Sequence, residues 1–374
     1  MEITIKKVKT KRDLNKFIKL PWKIYKNDKN WVPPLISQMK ATLNPKKNPF
    51  FKHSEVQLFI AEKNGKTVGR ISAQINRNHN KFHNEKSGSF GFFECIPDYK
   101  VASALFQEAC DWAKSNPSEK MEIIRGPMNF CSNDEWGLLV KGFDSPPLVM
   151  MTYNPEYYTD YFDKFGFEKS KDLLAYYADF EKMPERFERI MKKLEKKKRF
   201  VIRKLNPKKF KEEVATLFEV YNKSWEYNWG FVPMDKEEFM HTAKDLKSII
   251  DYDLVFIAEI DGKPVGFSLT LPDINQALIK INGRLFPFGL IKLLRATKQI
   301  NRVRTLALGT IKKYTNLGID LAFYYYSIKN ALPKNCARGE ASWILEDNMK
   351  MRRPMERAGA KLYKTYRIYE KKLK

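Results

Sequence analysis

The stretch FIAEKNGKTVG, Phe59–Gly69, has a near copy in FIAEIDGKPVG, Phe256–Gly266. Nine of the eleven positions pair identically or nearly so, at a constant offset of 197. The apolar, β-branched runs VQLFIAE and LVFIAE have strand length and composition. Asn or Asp followed by Gly then supplies the tight turn of a hairpin, and TVGRISAQI and PVGFSLTL return as second strands. One β-hairpin is therefore written twice.

The flanks repeat as well. NWVPPL (Asn30–Leu35) precedes the first hairpin and NWGFVPM (Asn228–Met234) the second, with Trp31 and Trp229 separated by 198. Each hairpin is followed by a strand, an amphipathic helix, another strand and a final helix–Gly–strand unit. The helices are KVASALFQEACDWAK and IDLAFYYYSIKNAL. The predicted class is α+β: two tandem domains, each a mixed, mostly antiparallel central sheet flanked by helices. The expected bounds are 1–182 and 199–374, joined by a polar connector helix over 183–198. In that helix Phe187, Ile190, Met191 and Leu194 recur at helical spacing.

The 374-residue length suits two domains of about 150–200 residues. Hydrophobic residues make up 43% and aromatics 14%, enough for two cores. No apolar run approaches the roughly 18–20 residues of a membrane span, and MEITIKKVKTKRDL lacks a secretory h-region. The four cysteines form no C-x-x-C pair, which suits a reducing cytoplasm. A net charge of +25 would draw a polyanion: nucleic acid, an anionic membrane, an acidic carrier protein or a phosphorylated cofactor. The plainer reading is a lysine-rich soluble surface.

The second half carries LALGTIKKYTNLGIDLAF, Leu306–Phe323. A strand runs into a basic loop, and Gly318 opens a helix. Free N–H groups at a helix start, with Gly allowing close approach and Lys312 and Lys313 adding charge, form an anion site fit for a pyrophosphate. Here the chain resembles the GCN5-related N-acetyltransferases (GNATs). Ile311 stands for the Val or Ile of their acyl-CoA signature and Gly318 for its first Gly. Thr315 stands where Arg or Gln is usual, and Asp320 where Gly or Ala is usual. The family's later signature is met by Asn348 and Gly359, with Met355 at the position of its Tyr. NPFFKHSE, GFFE, YNPEYY and SWILEDN further match a bacterial group of two-domain GNAT-like proteins.

The resemblance implies an acyltransferase using acetyl-CoA or another acyl-CoA and a small-molecule or peptide amine, without a metal. Ile311, Lys312, Lys313, Thr315, Gly318 and Asn348 would hold the donor. Glu340 would act as general base, and Tyr363 or Tyr366 would protonate the departing thiolate. Strand packing is the plainer role for the tyrosines. Tandem GNAT folds also occur in the Fem-type peptidyltransferases, so an acidic carrier protein or a tRNA is an alternative donor. A non-catalytic basic binding protein on the same scaffold is the alternative from another class.

The first half has Pro97, Asp98 and Tyr99 where the cofactor loop would carry Gly, so its cofactor motif is degenerate. It has instead a turn-rich loop, Arg125–Pro147, whose Asn129, Ser132, Asn133, Asp134 and Glu135 are candidates for a substrate cleft. A self-capped surface loop is the alternative. Asp273 and Asn275, after the second hairpin, are further cleft candidates. His79 and His83 have i, i+4 spacing, but their Asn-rich run lacks an apolar face and is expected to be a loop, with no metal. The segment Gly283–Arg304 interrupts the strand order. It reads as a lid, an acyl-chain wall, a membrane-surface helix, or a helix packed on its own domain. YNPEYYTDYFDKFGFEK, Tyr153–Lys169, is expected to be a packing helix ended by Gly166.

Overall fold

The computed structural model describes residues 2–336 and 338–373. It divides into two compact units. The first comprises Met1–Leu173, Leu278–Leu293 and Lys364–Lys374; the second comprises Leu174–Ala277 and Leu294–Tyr363.

In chain order the first half contributes β1 (Ile3–Lys7), β2 (Ser54–Lys63), β3 (Lys66–Asn76), α1 (Arg77–His83), β4 (Ser87–Cys95) and α2 (Tyr99–Lys114). After these come β5 (Ile123–Gly126), β6 (Leu138–Lys141), α3 (Tyr157–Phe165) and β7 (Glu168–Asp179). Next comes α4 (Glu185–Lys197), which falls within the second unit. The second half contributes β8 (Val201–Lys204), α5 (Phe210–Trp225), β9 (Val255–Ile260), β10 (Lys263–Pro272), α6 (Gly289–Thr297) and β11 (Arg302–Thr310). It ends with α7 (Ile319–Ala331), β12 (Arg338–Leu345), α8 (Met349–Arg357) and β13 (Lys361–Lys372).

The duplicated hairpin is real in detail. Asn64-Gly65 and Asp261-Gly262 all have positive φ, between 49° and 70°. That is the two-residue turn whose twist matches antiparallel strands. Each hairpin also carries the same bulge. Ala61 faces Gly69 while Glu62 faces Thr67, leaving Val68 extra; Ala258 faces Gly266 while Glu259 faces Pro264, leaving Val265 extra. The extra valine's carbonyl accepts from the residue just past the next strand: Ile96 N to Val68 O at 3.0 Å, and Ile311 N to Val265 O at 2.8 Å. The bulge thus fixes where the strand after each hairpin, β4 or β11, ends.

In the first unit the sheet order is β1-β2-β3-β4-β5-β13, antiparallel except for β4 with β5, and β6 also pairs with β13. One face is filled by aromatic side chains from β4, α2, α3 and β13: Phe90, Phe106, Phe162 and Tyr369. In the second unit β7, β12, β11, β10, β9 and β8 follow one another, with β11 parallel to β12. Each unit is a mixed, mostly antiparallel sheet with helices on its faces, as the duplication predicts. The run around His79 is a correction: it is a helix, not a loop. Asn76 caps its start, Asn84 in the left-handed region ends it, and the buried Asn80 takes the place of an apolar face.

Candidate functional site

The two parallel pairs differ in what lies beyond them. In the second unit the ladder between β11 and β12 runs from Arg302–Arg338 to Thr305–Ala341. β11 continues to Thr310, with a register shift against β10 at Leu269/Thr270. Thr305 to Gly309 are only half-buried, although they lie in the interior of the sheet order. Trp225, at the end of α5, lies on this stretch: a Cβ on Gly309 would come within 2.3 Å of its ring.

A polar cluster stands where the ladder ends. Glu340 on β12 faces Arg304 on β11. Both are buried, with the Arg304 Nε 3.6 Å from a Glu340 oxygen. Ser342 donates to that same oxygen at 2.5 Å and accepts from the Arg304 Nε at 2.9 Å. Tyr363 donates to the other Glu340 oxygen. The Arg304 guanidinium lies over the Trp343 ring, 4.8 Å from its centroid, which desolvates it on that side. A buried carboxylate is costly unless each oxygen is engaged, and here both are.

Following β11, Lys312–Leu317 wind as a 3-10 turn and Gly318, at φ 86°, opens α7. No side chain caps this helix start. Lys312 and Lys313 are exposed beside it, with Lys312 also over the Tyr227 ring. Asp320 is turned inward, accepts from Thr310 at 2.6 Å, and is pushed up by burial. Thr315 bonds the Lys312 carbonyl at 3.1 Å. Gly318 has a packing duty as well: a Cβ there would sit 2.9 Å from Leu194 of α4. Asn348 caps α8 through Met351 N, and Met355 is core.

In the first unit the corresponding space is closed. β4 pairs with β5 from Ser87–Ile123 to Ser89–Arg125, and the loop after β5 then continues along β4. Met128 N bonds Phe90 O at 2.7 Å, and the Asn129 side chain accepts from Phe92 N at 2.8 Å. The fit is so close that a Cβ on Gly91 would overlap Met128 O at 1.7 Å. Phe90 to Cys95 are accordingly buried. Asp98 caps α2 through Lys100 N, so the chain's own carboxylate occupies the place an anion would take.

The loop's polar residues close it on itself. Asn129 pairs with Glu135 through backbone and side chain; Asp134 N donates to the Cys131 carbonyl, and the Asp134 carboxylate accepts from the Cys131 thiol. Phe130 is buried and stacks on Phe50 at 4.9 Å. Ser132 and Asn133 lie in the same turn. Asp273 is buried, 3.4 Å from Arg302, with Asn275 opening the short turn after it. Tyr366 is buried in the first unit, against Gly137, and does not join Glu340. Of the three catalytic candidates, the structure brings together Glu340 and Tyr363 only.

Sequence reasoning missed Glu94. It is buried on β4, and burial pushes its carboxyl up to about 7 against the pull of Arg70 and of hydrogen bonds from Tyr158 and Tyr25. The signal was a single carboxylate inside the aromatic run FGFFEC; its partners lie too far away in sequence to be guessed. His79 bonds Glu85 at 2.6 Å, and Glu85 also takes Arg125 at 2.5 Å. This pair of bonds uses His79 as a partner in an ion cluster.

No family model matches the chain. It is 38% identical to protein YghO of Escherichia coli over 97% of this chain and 94% of that one. It is also 38% identical to the bacterial ceramide synthase of Caulobacter vibrioides, over 100% of this chain and 98% of that one. Among solved structures, a tandem GNAT protein from the clavulanic acid biosynthesis pathway superposes with a TM-score of 0.58 at 9% identity, covering 100% and 99% of the two chains. A GCN5-related N-acetyltransferase from Anabaena variabilis gives 0.52 at 8% identity, covering 100% and 73%. The tandem GNAT fold follows from these likenesses.

Proposed function

We propose that this chain, which belongs to the family of YghO and the bacterial ceramide synthase and has the tandem GNAT fold, is a cytoplasmic N-acyltransferase. It would move an acyl group from acyl-CoA to an amine. The observation that carries this reading is the contrast between the units. In the second, β11 of the parallel pair is left half-buried from Thr305 to Gly309, with Glu340 and Tyr363 at its inner end and an uncapped helix start at its outer end. In the first, loop and Asp98 fill both places.

The residues fit a phosphate-bearing donor in charge and backbone conformation. Gly318 and the first N–H groups of α7, with Lys312 and Lys313, would hold the pyrophosphate. The amine must attack the thioester carbonyl as the free base. Glu340 would take its proton, directly or through the Tyr363 hydroxyl already bonded to it. The C–N bond forms, the C–S bond breaks, and the thiolate leaves as CoASH after taking a proton. Tyr363, whose hydroxyl bonds Glu340, would supply that proton.

Kinship with a ceramide synthase supports a long-chain amino alcohol as the acceptor. The +25 charge favours a second reading of the donor, an acyl chain on an acidic carrier protein. Purified protein with an acyl-CoA series and a panel of amines, read by mass spectrometry of the amide and by thiol release, tests both. Amide formed only from carrier-bound acyl groups would change the donor. No amide from either donor would end the acyltransferase reading.

A further inference from the structure

We propose that the segment Arg284–Lys298 is a docking surface for an anionic phospholipid bilayer. Ten large hydrophobic side chains stand out as exposed among the described residues, and five of them fall here: Phe286 (81%), Phe288 (67%), Leu290 (43%), Ile291 (51%) and Leu294 (58%). Isolated exposed apolar residues need no explanation, but this density on a water-facing surface does.

The exposure is built, not frayed. Asn282 and Gly283, both with positive φ, turn the chain outward. The turn is anchored in its own unit: Trp22 donates to the Asn282 side chain at 2.8 Å, and Ile36 N bonds Gly283 O at 3.1 Å. Leu290 N then bonds Leu285 O at 2.7 Å. Gly289 lies so close to Arg284 O that a Cβ would be 1.9 Å from it. The loop is thereby locked with Phe286 and Phe288 at its tip. α6 follows, with Leu290, Ile291 and Leu294 at i, i+1 and i+4.

The charge around these side chains has one sign. Arg284, Lys292, Arg295 and Lys298 are exposed, and Asn275–Arg304 contains no Asp or Glu. Apolar side chains ringed by cations, on a short amphipathic helix with an aromatic tip, are the chemistry of the anionic bilayer interface. An acidic protein groove would ask for cations but would not leave two phenylalanines at the tip of a locked turn. Among the described residues no helix is long and apolar enough to cross a membrane, and the contact proposed here is peripheral. A lipid acceptor amine would then be met at the surface that holds it.

Vesicle co-sedimentation tests this without any acyl donor, so its outcome is separate from that of the acyltransferase reading. Wild-type protein should pellet with phosphatidylcholine–phosphatidylglycerol vesicles, less with phosphatidylcholine alone, and less as salt rises. Phe286→Ser/Phe288→Ser should weaken partitioning about ten-fold or more, with unchanged thermal melting. Lys292→Glu/Arg295→Glu should weaken it on the anionic vesicles and hardly on phosphatidylcholine. The proposal is overturned if wild type stays in the supernatant, or if both variants pellet as wild type does. It is also overturned if sedimentation velocity shows a dimer that Phe286→Ser/Phe288→Ser dissolves while vesicles bind neither form.

Discussion

The hydroxyl of Tyr158 donates to the buried carboxyl of Glu94 across 2.8 Å. The partners are 64 residues apart, and they place a group titrating near 7 inside an aromatic core. Burial, the largest cause, lifts it from an ordinary 4.5, and Arg70 opposes that lift from 3.8 Å.

The pH dependence follows from that direction. An acid whose folded value is raised stabilises the fold fully below about 4.5, and that contribution is lost as pH rises toward 7. The span corresponds to roughly 3 kcal/mol as an upper figure. Thermal melts of wild type should fall across this window, and those of Glu94→Gln should be flatter. Parallel profiles would show that Glu94 is not the titrating group.

Glu340 should carry the chemistry. Glu340→Gln is expected to lower kcat by about 10²–10⁴-fold with the fold intact, and Tyr363→Phe by less. Glu94→Gln should keep most of its activity. The reverse pattern would move the reaction into the first unit.

Gly91 should tolerate no side chain. Its Cβ would overlap the Met128 carbonyl, which is backbone and cannot swing away. Gly91→Ala should cost about 3 kcal/mol or more and lower Tm by several degrees. Limited proteolysis should then cut within Arg125–Pro147. An uncleaved, fully stable variant would mean that the loop is held elsewhere.

Asp98 should matter as a cap. Asp98→Ala removes the bond to Lys100 N and the Lys63 ion pair, and is expected to cost about 1 kcal/mol. A melt identical to wild type would show that water serves α2 as well.

The repeat was legible because a tight hairpin is a local event. Asn-Gly and Asp-Gly determine backbone signs within two residues, and the strands around them are apolar, β-branched runs that a short window shows. The helix–Gly–strand ending of Tyr153–Lys169 was legible for the same reason: Gly166 adopts φ 83° at the end of α3. What escaped was whatever depends on distant partners. Tyr158 looks like one packing aromatic among many until Glu94 is beneath it. Tyr363 and Tyr366 are three apart on β13, so the pleat turns them to opposite faces, and only one meets Glu340. The helix at His79 escaped because its buried position is the polar Asn80, which periodicity of apolar residues cannot detect.

The last strand carries a consequence for synthesis. Tyr369 and Ile368 are buried among residues of the first unit, and Tyr369–Lys372 pair with β5. A ribosome must therefore release almost the whole chain before the first unit can close its core. Until then the nascent chain shows its unfinished aromatic face to whatever chaperone is at hand. Cutting between the sequence repeats would leave that half without the residues that complete it.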